Sequence, residues 1–343
     1  MGKRSLLIAT AALWVLPPIA LLAASNASKV YIRNLLFSEV YSDQDIPDER
    51  SLEHLLSRKI KYPRDGDLAA ASRSPSEYQA LLGRVRSSMD SQEFFGACAQ
   101  VAARAGLRLS PDDCLAIKVA AGISHEFMGV RCGLEESLAE RFSLIQKGVG
   151  CCSDFNDAFA IQASVMGLKT REVNNQVHTT SEYYDRNERR WKWVGTSYRT
   201  LMADKNGRLL SAYAIRGSNP WDRIRVVDAP PFDKEGFSTI GYEGHYSSKN
   251  ALQFWNLNSN PAYVFSRERW LIEKGFPRSY VQLFSFLTGV RSGYLFLASP
   301  YTAWAFKLLQ FIVKLLVLIW AALPLAACIY LVFIRSKSKP SEG

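Results

Sequence analysis

The chain has 343 residues, 48% of them hydrophobic, and carries 42 Lys/Arg against 32 Asp/Glu for a formal net charge of +10. That hydrophobic share excludes a disordered chain and is enough for one domain with an appendage or two. The two tips, residues 1–25 and 314–343, hold six basic residues and one acid, which leaves the middle with 36 against 31, or +5. Without a Lys/Arg cluster interleaved with aromatics, that excess reads as a solvated surface and excludes a nucleic-acid partner.

Residues 6–25 are uncharged and follow Lys3 and Arg4, the pattern of a signal peptide or a first membrane span. Small residues at Ala23, Ala24, Ser25 and Ala27 permit cleavage, the 20-residue length permits an anchor, and the anchor is preferred. Residues 26–72 read as a linker with a helix around Ser51 to Lys59. From Ser74 the spacing turns helical, with Pro75 at the first helical position and Glu77 completing a capping box. Two amphipathic helices follow, "SQEFFGACAQVAARAG" and "SPDDCLAIKVAAGISHEFM", the second capped by Ser110 with Pro111, Asp112 and Asp113 in its first turn.

After Gly167 the period becomes two, and "LKTREV", "QVHTTSEYY" and "RWKWVGTSY" read as three strands. Trp191 and Trp193 are expected to pack on core and surface. Helices followed by an antiparallel meander predict an α+β domain over residues 73–215. Residues 216–304, rich in aromatics, Pro and Asn, read as a membrane-proximal extension. Leu315 to Ile334 is uncharged and is followed by Arg335, Lys337 and Lys339. This predicts a transmembrane helix within residues 305–335 and a cytoplasmic tail over 336–343. Positive charge at both tips puts both termini in the cytoplasm and the long middle outside it.

Six cysteines are present: Cys98, Cys114, Cys132, Cys151, Cys152 and Cys328. An oxidising compartment permits disulfides, and adjacent cysteines rarely bridge each other. Cys98, Cys114, Cys132 and Cys151 could therefore form two pairs and leave Cys152 free. The four histidines, His54, His125, His178 and His245, show no zinc spacing, so neither a metal nor a cofactor is expected.

Phe155, Ala158, Phe159, Val165 and Met166 form one helical stripe that Gly167 terminates, which starts a helix near Ser153 and puts Cys152 at its tip. Unpaired backbone N–H groups and the helix dipole favour an anion there. The nucleophile would need a base. His178 lies mid-strand, and a turn that pairs Asp185 with Glu188 would set it opposite Gly195.

Cys152, Phe155, Ala158, Phe159, Gly167, Arg171, His178, Glu182 four residues on, and the aromatic "WKWV" together resemble the transglutaminase-like core of papain-type cysteine enzymes, over roughly residues 110–200. The resemblance implies a helical front half packed on an antiparallel β-meander. It also implies a Cys152 thiolate that attacks a carboxamide or peptide carbonyl, with His178 as base and then acid. Gln146 becomes a candidate oxyanion donor, with a surface glutamine as the equal alternative. The family's third residue, an aspartate that orients the imidazole, corresponds to Gly195 in this chain. Asn174, Asn175, Glu172 or a water in the space left by glycine could substitute, whereas Glu182 lies about 13 Å along the strand and reads as a solvated or barrel-lining carboxylate.

The expectation is a membrane-anchored, bacterial transglutaminase-like protein acting on extracytoplasmic protein or cell-envelope amides, by transfer or by hydrolysis. The competing readings are a catalytically silent binding module for envelope assembly and a structural two-span protein that stabilises a partner. The sequence sets no oligomeric state.

Overall fold

The structure is a computed structural model that describes residues 35–42, 44–72, 80, 83, 87, 92–123, 138–174, 179–197, 200–217, 224–228, 256–258, 260–291 and 295–337. His178, Asn175, Cys132, His125 and His245 fall outside these residues, as do the 6–25 segment and the capping box at Ser74.

The chain runs β1 (Glu39–Ser42), α1 (Glu49–Ser57), α2 (Asp65–Ser72), α3 (Gln92–Arg104), α4 (Pro111–Ile123), α5 (Leu138–Gln146) and α6 (Cys152–Val165). It continues through β2 (Thr170–Asn174), β3 (Thr179–Asp185), β4 (Arg190–Gly195), β5 (Thr200–Asp204), α7 (Ala212–Gly217), β6 (Ile224–Asp228) and β7 (Asn256–Asn258). It closes with α8 (Pro261–Glu273), α9 (Arg278–Leu287), β8 (Leu295–Ala298) and α10 (Pro300–Lys337). Mixed helix and antiparallel sheet agree with the α+β expectation. The meander is longer than the three expected strands, because the order is β6-β5-β4-β3-β2-β7 and two of these strands come from beyond residue 215.

Local signals set the helix ends. Ser110 Oγ accepts from Asp113 N at 3.1 Å while Asp113 Oδ2 accepts from Ser110 N at 2.7 Å, a reciprocal cap that starts α4. Gly167, with φ of +85°, takes the left-handed turn that ends α6. Its N–H bonds to Ser164 O and that of Leu168 to Ala163 O, which satisfies the last carbonyls.

Helix α4 is buried almost all round, including Asp112 and Asp113, rather than amphipathic as its sequence suggested. Both faces of the large sheet are covered. Tyr183, Val194, Leu201 and Ala203 pack against residues of α4 and α6, including Ile117, Phe155 and Phe159. On the other face Val173, Trp193 and Met202 pack against Leu52 and Leu56 of α1 and Ala212 and Ile215 of α7. This corrects the surface assignment for the tryptophans: Trp191 and Trp193 are both buried, because α1 and the chain after it cover that face. The parallel pair β1–β8 contributes Leu295 and Leu297 to the same cluster.

Helix α10 is 38 residues long, about 57 Å at 1.5 Å per residue, well beyond the ~30 Å hydrocarbon core of a bilayer. Ala303 and Gln310 are buried against the domain, and Gln310 Nε2 donates to Leu35 O at 2.9 Å and Ser38 O at 2.7 Å. From Phe311 to Ile319 the helix is mostly exposed and apolar. An 18-residue window within its Pro300–Trp320 stretch has a mean hydropathy of 1.8, so α10 is long and apolar enough to cross a membrane.

Candidate functional site

Helix α6 begins at Cys152, one residue before the expected start, with extended backbone at Cys151. Asp154 Oδ2 accepts from Cys151 N at 2.9 Å and fixes the entry. Cys151 is buried and disulfide-bonded, and Cys98 bridges Cys114, with Cα atoms 6.0 Å apart. Cys152 is a free thiol and partly exposed. Two adjacent cysteines thus have opposite fates: Cys151 is fastened and Cys152 is left on the rim of the helix N-terminus.

The direction of α6 follows from its polar contacts. Thr170 Oγ1 donates to Ala160 O at 3.1 Å and contacts Ser164 Oγ at 3.2 Å, and Thr170 pairs with Tyr183 across the β2–β3 ladder. One turn beyond Cys152 on the same helix face, Asn156 Oδ1 accepts from Ser181 Oγ. Moving toward the start of α6 therefore moves toward the start of β3. The tip that carries Cys152 lies at the end of the layer where the chain enters β3 at Thr179, immediately after position 178. The i,i+4 spacing of Cys152 and Asn156 was readable in the sequence, but the tie to β3 was not.

The β3–β4 register differs from the expected one. Asp185 pairs with Arg190 rather than Glu188, and Ser181 pairs with Val194, so the hairpin loop is two residues longer and the ladder is shifted by two. The register of the described residues, Ser181 with Val194, does not line up position 178 with Gly195. On its other side Gly195 pairs with Thr200 of β5, and it lies on the sheet face that carries Trp193 and is turned away from α6.

Gly195 also leaves no space for a water. A Cβ built there would lie 2.2 Å from Thr200 Oγ1 and 2.8 Å from Trp193 Cη2. Asn156 Nδ2 and the hydroxyls of Thr196, Ser197 and Thr200 are buried around this end of the sheet and make no hydrogen bond within the described residues. Gln146 is partly buried at the end of α5, six residues before Cys152. Glu172 pairs with Ser181 and Asn174 with Thr179 across the β2–β3 ladder.

Two ionic clusters occupy the rest of the sheet, and both escaped the sequence reading. Lys192, fully buried, places Nζ 2.8 Å from Asp113 Oδ2, 2.5 Å from Asp185 Oδ2 and 3.0 Å from Glu188 Oε1. Tyr183 Oη donates to Asp113 Oδ1 at 2.9 Å. The three carboxylates could together hold a cation, but the ammonium already stands among them. Burial works to raise Asp185 and Glu188, yet Lys192 outweighs it and leaves both below the ordinary carboxylate range. Asp113, deeper and beside Asp185, stays raised by burial despite the same lysine.

On the opposite face Arg171 bridges Glu182 and Glu53, at 2.7 Å each, and its guanidinium stacks 3.9 Å from the Trp191 ring centroid. Burial opposes its charge, but Glu182 and Glu53 more than compensate and hold it protonated. Glu182, fully buried, also accepts from Ala212 N at 2.6 Å. It is therefore a structural anion that ties β3 to α7 rather than a solvated one. The only available signal was at Lys192, a charge set between Trp191 and Trp193; Arg171, between Thr170 and Glu172, gave none. No protein-family model matches this chain, and no curated protein matches it.

Proposed function

We propose that the outer domain performs thiol-dependent acyl chemistry at Cys152 on amide or peptide carbonyls of extracytoplasmic or envelope material, as the transglutaminase-like resemblance implies. In this reading His178 takes the thiol proton and the sulfur attacks the carbonyl carbon. The C–N bond then breaks, and the leaving amine takes the proton back from the imidazolium. Water or a second amine attacks the thioester carbon, passes its proton to His178 and restores the thiol. The observation that carries the proposal is the contrast at the start of α6: Cys151 is disulfide-bonded and buried, whereas Cys152 is free and partly exposed, at the end of the layer where β3 begins. The Cys98–Cys114 disulfide supports an oxidising compartment, and with it a topology in which both termini are cytoplasmic and an N-terminal anchor accompanies α10.

The test is the rate at which a thiol-reactive amide probe acylates Cys152 in the detergent-solubilised full chain, read by mass on the Cys152 peptide. A His178→Ala variant should react at least ~10²-fold more slowly, the low end of what a general base contributes. Equal rates in the parent and the variant would remove His178, and with it this chemistry. The second reading, a silent binding module, is favoured by Gly195: it has no room for an acidic side chain and faces away from α6. That reading predicts no acyl-enzyme in either protein.

A further inference from the structure

Helix α9 is amphipathic in an inverted sense. Its inner side, Val281, Ser285 and Phe286, is buried, yet Tyr280, Leu283, Phe284 and Leu287, spaced i, i+3, i+4, i+7, form a stripe exposed to the surroundings. Leu287 is 69% and Tyr280 59% exposed, and Phe276 in the turn before α9 extends the stripe by one more step. An apolar stripe of this size on the outside of a domain marks a surface that something covers.

The neighbours of α9 say what covers it. Phe286 belongs to the cluster that holds Ala298, at the end of β8, and Ala303, in the first turn of α10, and its ring stacks 5.0 Å from Phe37. Phe37 lies between Leu35 and Ser38, whose carbonyls bind Gln310 of α10. The inner side of α9 is therefore level with Gln310. Four residues on, about 6 Å along the axis, Lys314 is exposed, and its charge reaches Glu39 at the start of β1. The uncharged run Leu315 to Ile334 begins at the next residue, with no break in the helix between domain and run. A rigid connection of that length holds α9 within one headgroup layer of the hydrocarbon.

We propose that the exposed stripe of α9 lies in the lipid interface of the same leaflet that α10 enters, so that the domain is seated on the bilayer along α9 rather than suspended above it on one helix. This rests on reading α10 as a membrane span. Seating would fix the height and tilt of the domain relative to lipid, and with it the height of the Cys152 rim.

The test uses the full chain in phosphatidylcholine/phosphatidylglycerol liposomes, with a nitroxide at Leu283→Cys or Leu287→Cys in a Cys152→Ser/Cys328→Ala background. Collision with oxygen, which partitions into lipid, is compared with collision with a water-soluble nickel chelate, and Leu318→Cys in α10 serves as the reference. The expected result is oxygen access above nickel access at 283, 287 and 318 alike. Nickel access dominating at 283 and 287 but not at 318 would overturn the seating and leave the span intact. Nickel access dominating at 318 as well would end the span reading and the seating with it. A label at 283 or 287 that is immobile and shielded from both reagents would mean that protein covers the stripe, which also overturns the proposal.

Discussion

The absence of a side chain at position 195 is dictated by packing, and this can be tested with a pair of substitutions. In Gly195→Ala the new methyl would lie 2.2 Å from Thr200 Oγ1 and 2.8 Å from the tip of the Trp193 ring, where carbon contacts normally settle at about 3.5–4.0 Å. Neither neighbour yields easily. Thr200 is buried and directly across the ladder, and the indole of Trp193 is held by its Nε1–H bond to Thr180 Oγ1 at 2.9 Å. Overpacking of this kind costs about 1–3 kcal/mol, and Gly195→Ala is expected near the upper end. Thr200→Ala removes the nearest obstacle. Because the Thr200 hydroxyl makes no hydrogen bond among the described residues, its loss should cost no more than the ~0.8 kcal/mol of a buried methyl group. The double variant should therefore recover at least ~1 kcal/mol relative to the sum of the single losses, a coupling typical of residues in contact. Urea unfolding of the full chain in detergent, followed by tryptophan fluorescence, measures all three. Strictly additive losses, or a Gly195→Ala variant as stable as the parent, would refute the steric account and reopen the position to a catalytic side chain.

Lys192→Met strands Asp113, Asp185 and Glu188 in a buried cluster without their cation and should cost about 3–5 kcal/mol, seen as a melting midpoint lowered by on the order of 10 °C; a drop within error of zero would contradict the burial of that network. Arg171→Leu leaves Glu182 charged and covered, with Ala212 N its remaining donor, so the variant should be less stable than Arg171→Leu/Glu182→Leu, in which no charge is stranded. Acid should weaken the fold in a definite window. A carboxylate whose folded pKa is depressed stabilises the protein above its unfolded pKa and loses that contribution as pH falls through the folded value. Asp185 and Glu188 are of this kind, so melting midpoints should decline as pH drops below about 4. Asp113, raised instead, contributes with the opposite sign and takes up its proton first. A midpoint unchanged between pH 7 and pH 3 would exclude a role for the cluster in stability.

The local sequence determined the elements and their ends. A helix opening near Ser153, one residue after its observed start, and stopping at Gly167 followed from an apolar stripe and one glycine, and the three strands β2, β3 and β4 followed from period-two alternation. The cap at Ser110 and the long apolar C-terminal helix were equally legible, because each depends on residues a few positions apart. What joins distant residues was decided only by the tertiary structure. The hairpin register depended on whether "DRNE" closes as the shorter or the longer loop, and the two-residue difference took Gly195 out of line with position 178. The burial of Trp191, Lys192 and Glu182 depended on helices α1 and α4 arriving from elsewhere in the chain to cover both sheet faces. A strand's own pattern cannot report this, since alternation shows which residues share a face but not what lies against it. Likewise the sequence placed a thiol at a helix tip and left Cys152 as the free one of the two adjacent cysteines, as the structure has it, but only the contact between Asn156 and Ser181 showed toward which end of the sheet it lies.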